Sequence, residues 1–175
     1  VIIGLLDDKF DLSPYFRLVT NIGVASFAVI FGGIKIAFIT NPFGGILFFN
    51  VFPFLPEILA IIWIVWTMNM LNWSKGVDGQ MPGIAAIAAL TIGLLSLRFH
   101  PVSPENLITA RLSFITAGAA LGFLIFNFYP AKIFPGYGAT ILGFLLAITS
   151  IMAGSKLATA ILVMGVPTID GLLTI

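Results

Sequence analysis

Two adjacent carboxylates stand at the end of the first apolar run of the chain. Asp7 and Asp8 directly follow six apolar residues, and Asp11 comes three positions later. Paired carboxylates beside apolar residues are unfavourable unless a cation neutralises them, and near a membrane a divalent metal is a frequent partner. The spacing alone supports two interpretations equally: a metal site, or an acidic helix end that headgroup water solvates.

A second polar segment combines paired amides with a glycine-rich turn. Asn69 and Asn72 share one face of a helix because they are three residues apart, and they lead into Gly76-Val77-Asp78-Gly79. Glycine lets a ligand approach the backbone closely, and exposed amides bind anionic or carbonyl oxygens. A turn that needs positive φ accounts for the glycines, but it leaves the two Asn and Asp78 unexplained.

A third segment holds Asn127, then Pro130-Ala131-Lys132-Ile133-Phe134, then Gly136-Tyr137-Gly138. An amide, a lysine and aromatic rings can together bind a phosphate and stack on a base. Each aromatic residue alone is more typical of the belt at a membrane interface. The sequence contains no nucleotide P-loop, no His-Glu-x-x-His and no Ser-His-Asp set that would indicate other catalytic chemistry.

Composition shows which elements must position these segments. Of 175 residues, 59% are hydrophobic and 9% are charged, against roughly 45–50% and about 25% in a soluble domain. The formal net charge of +1 argues against a basic surface for nucleic acid. The lack of cysteine excludes disulfides, thiolate metal sites and a cysteine nucleophile. The composition therefore predicts an integral membrane protein.

Predominantly apolar windows of about 20 residues mark membrane spans. Six such windows occur: Leu18–Ile34, Ile58–Trp73, Gly83–Leu97, Leu107–Phe128, Ala139–Ala153 and Leu157–Leu173. Ser13-Pro14, Pro56-Glu57 and Ser103-Pro104-Glu105 are typical helix starts. The glycine-rich residues 41–45 predict a short hairpin. We predict an all-α, polytopic transmembrane helix bundle of about six spans, with a short β-hairpin on the outer side. Residues 1–175 form one integral-membrane domain that we expect to be truncated at both ends.

Successive spans alternate in direction, so the three polar segments fall on the same side of the membrane. All five Asp residues also fall on this side, including Asp170. The eight Lys and Arg divide equally between the two sides and therefore do not orient the chain. The predicted site is thus one polar face built from three separate connections.

These three segments resemble the polyprenyl-phosphate N-acetylhexosamine-1-phosphate transferases, a group within glycosyltransferase family 4. Its members start the synthesis of peptidoglycan, O-antigen and teichoic acid linkage lipids. The matching residues are Gly4-Leu5-Leu6-Asp7-Asp8 with Asp11-Leu12, Asn69-x-x-Asn72 with residues 76–79, residues 130–134, Leu142-Gly143-Phe144, and Val166-Pro167-Thr168-Ile169-Asp170. Asn41-Pro42-Phe43-Gly44-Gly45 is similar to the outer hairpin of the family.

The resemblance implies a phosphotransferase at the cytoplasmic face of the cell membrane. A polyprenyl (undecaprenyl) phosphate would attack the β-phosphate of a UDP-N-acetylhexosamine such as UDP-GlcNAc, releasing UMP, with Mg²⁺ or alternatively Mn²⁺ as cofactor. It further implies metal ligation by Asp7 and Asp8. The catalytic residues would be Asp7, Asp8, Asp78, Asn72 and Asn127, and the substrate-binding residues would be Asn69, Gly76, Val77, Lys132 and Phe134.

Two positions depart from the family pattern. Tyr137 stands where the family has a metal-binding Asp, within a motif one residue shorter, and Lys75 replaces the first Asp of the middle motif. These departures leave an alternative open: a non-catalytic relative that binds or moves polyprenyl-phosphate lipid. Beyond the lipid phosphate and the UDP-sugar, we expect a membrane environment, no nucleic acid, and a homodimer as a candidate assembly.

Overall fold

The computed structural model describes residues 2–10, 12–40, 45–49, 52–98 and 103–153, together with 165, 168 and 169, but not the side chains of Asp8 and Thr40. Asp11, Asp170, residues 41–44 of the hairpin turn and most of the sixth predicted span lie outside this description. The elements in chain order are α1 (Ile2–Phe10), α2 (Pro14–Gly32), β1 (Phe38–Thr40), β2 (Ile46–Phe48), α3 (Leu55–Trp73), a 3-10 turn (Ser74–Gly76), α4 (Gln80–Leu97), α5 (Pro104–Asn127) and α6 (Gly138–Met152).

The described part of the chain is a bundle of apolar helices. Four of them are long and apolar enough to cross a membrane, namely α2, α3 with its 3-10 extension, α4 and α5. Helix α6 is also apolar but has only 15 residues. The predicted all-α membrane fold is confirmed, with four of the six predicted spans at full length and a fifth as a shorter helix.

Local sequence signals start the helices where they were predicted. The Ser13 hydroxyl accepts a hydrogen bond from the amide of Phe16 at 3.3 Å. The Ser103 hydroxyl does the same for Asn106 at 3.2 Å. In both cases proline occupies the first turn. The N–H groups of this turn have no partner within the helix, so the missing N–H of proline costs no hydrogen bond.

A two-stranded antiparallel sheet joins α2 to α3. Phe38 pairs with Phe48 and Thr40 with Ile46, and the two phenylalanine rings lie 6.1 Å apart. The hairpin predicted from the glycine-rich residues is therefore confirmed, and its placement on the outer side stays a prediction.

Small residues set the closest helix contacts. A methyl group added at Gly143 of α6 would lie 2.7 Å from the Cα of Met68 in α3, and one at Gly93 of α4 would lie 2.9 Å from the ring of Phe114 in α5. Helices in lipid gain little from the hydrophobic effect between them, so close backbone approach supplies the packing energy. Gly118 on α5 has no atom within 4 Å of such a methyl group.

Most buried hydroxyl groups inside these helices bond to their own backbone. Six of them donate to the carbonyl four residues earlier, at 2.8 to 2.9 Å: Thr67, Ser74, Ser96, Thr109, Thr116 and Thr149. A bond between helices also occurs, from the Trp63 indole N–H of α3 to the Ser150 hydroxyl of α6 at 2.9 Å. Most of this buried polarity is thus satisfied within single helices.

Candidate active site

The loop from residue 128 to 137, between α5 and α6, is the point where the three predicted segments meet. It contacts the turn after α3 through Asp78 and Asn127, and it contacts α1 and α2 through Tyr137. The structure therefore brings together connections that are more than 100 residues apart in the chain.

The side chain of Asn127 connects this loop to the glycine-rich turn through two hydrogen bonds. Its side chain is 2% exposed, its Oδ1 accepts a hydrogen bond from the Gly79 amide at 3.0 Å, and its Nδ2 donates to the Ile133 carbonyl at 2.9 Å. Asp78 makes a parallel connection, because its Oδ2 accepts from the Ala131 amide at 2.9 Å. Both side chains therefore have a positioning role whatever chemistry they also perform.

Gly79 gives the turn the shape that this contact needs. Its φ of 75° lies in the left-handed region, where a side chain would be strained. A Cβ at this position would also lie 3.5 Å from Leu124 and 3.6 Å from Phe128. The positive φ predicted for a glycine in this turn is thus present, and it aims the Gly79 amide at Asn127.

Asp7 is paired with a cation from within the chain. Its side chain is buried, and its Oδ1 lies 2.7 Å from Nε of Arg17 in the first turn of α2. The same oxygen accepts a hydrogen bond from the Leu12 amide at 3.2 Å. The Asp7 spacing left a metal ion and headgroup water equally open, and it did not identify Arg17, which lies in the next helix along the chain.

Tyr137 connects α6 to the two N-terminal helices. Its hydroxyl donates a 2.9 Å hydrogen bond to Oδ1 of the buried Asn21 in α2. Its ring packs on α1, because a Cβ at Gly4 would lie 2.7 Å from the Tyr137 Cδ1. Burial raises the pKa of the Tyr137 phenol, the charge of Asp7 raises that pKa further, and Arg17 opposes the rise. The phenol is therefore a neutral hydrogen-bond donor at physiological pH.

Comparison with known proteins identifies the group to which this arrangement belongs. The model of the family described as glycosyl transferase family 4 matches residues 1–154. The chain belongs to this family. The match covers α1, the glycine-rich turn, the 128–137 loop and α6 in a single stretch.

Curated relatives carry related names. A probable undecaprenyl-phosphate N-acetylglucosaminyl 1-phosphate transferase of Bacillus subtilis is 33% identical, over 97% of this chain and 47% of its own length. A decaprenyl-phosphate N-acetylglucosaminephosphotransferase of Mycobacterium tuberculosis is 32% identical, over 89% of this chain and 39% of its own. A phospho-N-acetylmuramoyl-pentapeptide-transferase of Levilactobacillus brevis is 37% identical, over 58% of this chain and 30% of its own length. The family 4 chain thus spans about half the length of these relatives or less.

The other predicted site residues of this family 4 chain lie around the same turn and loop. Asn69 donates its side-chain N–H to the Val65 carbonyl of its own helix at 2.8 Å. Asn72 is half-buried in the last turn of α3. The predicted nucleotide-binding and phosphate-binding residues are exposed: Gly76, Val77, Lys132 and Phe134. They are therefore accessible to a ligand, and their roles stay predictions.

Lys75 contributes a contact that the motif comparison did not foresee. Its Nζ lies 3.4 Å from the carbonyl oxygen of Gly136, next to Tyr137. The two residues predicted to depart from the family pattern therefore lie close together, on the turn after α3 and at the start of α6.

The described residues around Asp7 do not fit a site for Mg²⁺. Mg²⁺ is usually held by one or two carboxylates together with substrate phosphates, whereas the Asp7 carboxylate carries the Arg17 guanidinium. In the part of the chain that the structure describes, no three His, Cys, Asp or Glu residues come together as a ligand group. The side chain of Asp8 is outside this description, so ligation by Asp8 stays a prediction.

Proposed function

We propose that the protein is a phosphotransferase that moves a sugar 1-phosphate from a UDP-N-acetylhexosamine to polyprenyl phosphate. The observation that carries this proposal is the meeting of the family's three polar segments at the 128–137 loop, in a chain that belongs to family 4. The names of the relatives favour this enzyme over a non-catalytic lipid-binding protein.

The proposed reaction is a displacement at phosphorus. An oxygen of the lipid phosphate attacks the β-phosphorus of the UDP-sugar, and the bond from that phosphorus to the oxygen bridging the two phosphates breaks. The products are UMP and a polyprenyl-diphospho-sugar. Phosphoryl transfer of this kind depends mainly on positioning and on stabilisation of negative charge.

The chain's own residues supply positioning in this proposal. Asn127 and Asp78 hold the 128–137 loop against the glycine-rich turn. This contact joins Ala131 to Asp78 and Asn127 to Gly79. We propose that the phosphates and the uridine bind at the exposed residues that flank it in the chain, namely Lys132, Phe134, Val77 and Gly76. Asn69 and Asn72 would complete the polar wall at the end of α3.

A groove between α2 and α3 suits the lipid half of the acceptor. It has a volume of about 570 Å³ and is lined mainly by apolar side chains, with Asn69 and Trp73 among them. Because these two residues belong to the last turns of α3, the groove approaches the polar end of that helix. We propose that it receives isoprene units while the phosphate reaches the polar face, which we place on the cytoplasmic side of the cell membrane.

Activity of the full-length protein in membranes tests the proposal. With UDP-N-acetylglucosamine and undecaprenyl phosphate, we expect UMP release that requires both substrates and yields a lipid-linked diphospho-sugar. Asp78→Asn should lower the rate at least tenfold, a smaller loss than the roughly 10²–10³ for a donor that contacts the transition state directly, because Asp78 positions the 128–137 loop through the Ala131 amide. Glu57→Gln is the matched control, because Glu57 is an acid in the first turn of α3 and lies at the other end of that helix.

Two results would count against this function. One is the lack of UMP release with any UDP-N-acetylhexosamine while lipid binding persists, which would favour the non-catalytic alternative. The other is equal rates for Asp78→Asn and the unaltered protein, which would place the reaction elsewhere. The predicted homodimer is a separate question, which cross-linking in native membranes addresses.

A further inference from the structure

Five polar side chains lie where α1, α2, the 3-10 turn after α3 and the start of α6 come together, and they contact one another or, for Lys75, the backbone next to Tyr137. We name this group the Tyr137 cluster, and its members are Asp7, Arg17, Asn21, Lys75 and Tyr137. Arg17 pairs with Asp7 at 2.7 Å, the Tyr137 hydroxyl donates to Asn21 at 2.9 Å, and Lys75 Nζ lies 3.4 Å from the Gly136 carbonyl. All three contacts connect different elements of the fold.

The cluster carries two cations and one carboxylate. Arg17 and Lys75 each contribute a positive charge, Asp7 contributes a negative one, and Asn21 and the protonated phenol of Tyr137 are neutral. A buried carboxylate requires compensation of its charge, and the guanidinium at 2.7 Å already provides it. A divalent ion placed on Asp7 would lie beside Arg17, and repulsion between the two cations would oppose its binding.

The helix that carries Asp7 also packs on the ring of Tyr137. Asp7 and Gly4 lie on the same face of α1 because they are three residues apart, and Gly4 is in contact with the Tyr137 ring. The ring is itself fixed by the hydrogen bond to Asn21. The position of α1, and with it the Asp7 carboxylate, is therefore determined by the same cluster that supplies the counter-charge.

We propose that Arg17 is the permanent counter-charge of Asp7 and that the Tyr137 cluster functions without a divalent metal ion. Asp7 is then a positioning residue that connects α1 to α2 through Arg17. This assignment concerns Asp7 alone and does not rest on the proposed function.

Binding of Mn²⁺, followed by electron paramagnetic resonance on the purified full-length protein without substrate, tests the metal-free state. We expect Asp7→Asn to leave both the number of bound Mn²⁺ ions and their affinity unchanged. A Mn²⁺ site that is present in the unaltered protein and lost in Asp7→Asn would overturn the proposal. The melting temperature of each variant confirms that the proteins compared are folded.

Removal of the counter-charge provides the converse test. Arg17→Gln should raise the affinity for Mn²⁺ at least tenfold, because it removes the cation that contacts the Asp7 carboxylate. The interaction energy of two unit charges at contact distance near a protein surface is large enough for such a change. The gain should disappear in Arg17→Gln/Asp7→Asn and should be missing in Arg17→Lys, which keeps the charge. Arg98→Gln is the matched control, because Arg98 is an exposed cation at the end of α4. A folded Arg17→Gln protein with no gain would overturn the proposal.

Nucleotide binding separates this inference from the proposed function. We expect the affinity for UDP-N-acetylglucosamine, measured by calorimetry, to respond to the exchange of Mg²⁺ for EDTA in the same way in the unaltered protein and in Asp7→Asn. A response that is present in the unaltered protein and lost in Asp7→Asn would overturn the metal-free assignment. Lack of binding in both buffers would contradict the proposed function, and the Mn²⁺ comparison would still decide whether Asp7 holds a metal.

Discussion

Replacement of Asn127 by leucine should loosen the loop that brings the site together. The amide accepts from Gly79 and donates to Ile133, so Leu, which has a similar volume, removes both contacts at once. The change leaves the Gly79 amide and the Ile133 carbonyl without their partner. We therefore expect a loss of stability that is concentrated at the glycine-rich turn and the 128–137 loop.

The size of this loss follows from the exposure of the two groups. A buried polar group without a partner costs about 1–3 kcal/mol. Gly79 is half-buried and Ile133 is exposed, so water reaches both groups and the low end applies to each. We expect Asn127→Leu to lower the free energy of unfolding by about 2–3 kcal/mol. Asn127→Asp keeps the acceptor for Gly79 but directs a carboxylate at the Ile133 carbonyl, so it should regain stability at acidic pH.

Equilibrium unfolding in mixed micelles, followed by tryptophan fluorescence, measures this difference. Hydrogen exchange of the 74–79 turn and the 128–137 loop shows whether the loss is local. The control is Asn106→Leu, the same change in the first turn of α5, which should cost less than about 0.5 kcal/mol. An Asn127→Leu protein as stable as this control, with unchanged exchange in the loop, would refute the reasoning.

Three further changes probe the packing and the charge of the site. Gly143→Ala should destabilise the protein by at least about 1–3 kcal/mol, since the added methyl meets the backbone of Met68 at 2.7 Å. Gly118→Ala, where nothing lies within 4 Å, should cost nothing in the same unfolding assay. Gly4→Ala should lower the melting temperature, because its methyl would lie 2.7 Å from the Tyr137 ring; an unchanged value would contradict that contact. Because burial raises the pKa of Tyr137, the unfolded chain loses the phenol proton first, and stability should fall as pH rises above about 10. Tyr137→Phe should remove this part of the fall, and identical pH profiles of the two proteins would show that the phenol is not shielded.

Structural features that depend on residues adjacent in the chain could be predicted from the sequence. Hydropathy located the four long helices, and serine followed by proline located the starts of α2 and α5. The helices nevertheless extend beyond the apolar windows. Helix α4 begins at Gln80 rather than Gly83, because Gly79 adopts positive φ just before it and Pro82 fits the first turn. Hydropathy detects only the apolar part of a helix, so its polar ends are underestimated.

The contacts that determine the chemistry of the site could not be predicted from local sequence patterns, because they join residues in different helices. The sequence left open whether Asp7 meets a metal ion or headgroup water, and it did not identify Arg17, because that contact depends on how α1 and α2 are packed. The bond from Tyr137 to Asn21 joins residues that are 116 positions apart. A motif comparison identified Tyr137 only as a missing carboxylate, whereas the fold shows it as a connection between three helices.

The hydroxyl groups that bond within their own helices bear on how the chain enters the membrane. Because Thr91 and Ser96 donate to carbonyls four residues earlier, α4 can pass into lipid with both of its hydroxyl groups paired. It can therefore insert before its neighbours, and association can follow as a second stage. Helix α5 differs, because its Ser113 hydroxyl is buried without a hydrogen-bond partner among the described residues. The bond from Trp63 to Ser150 is different, since it joins two helices and cannot form until both are in the membrane. Packing of α3 against α6 should therefore depend on a polar partner that arrives after α3, whereas the hydroxyl groups of α4 require none.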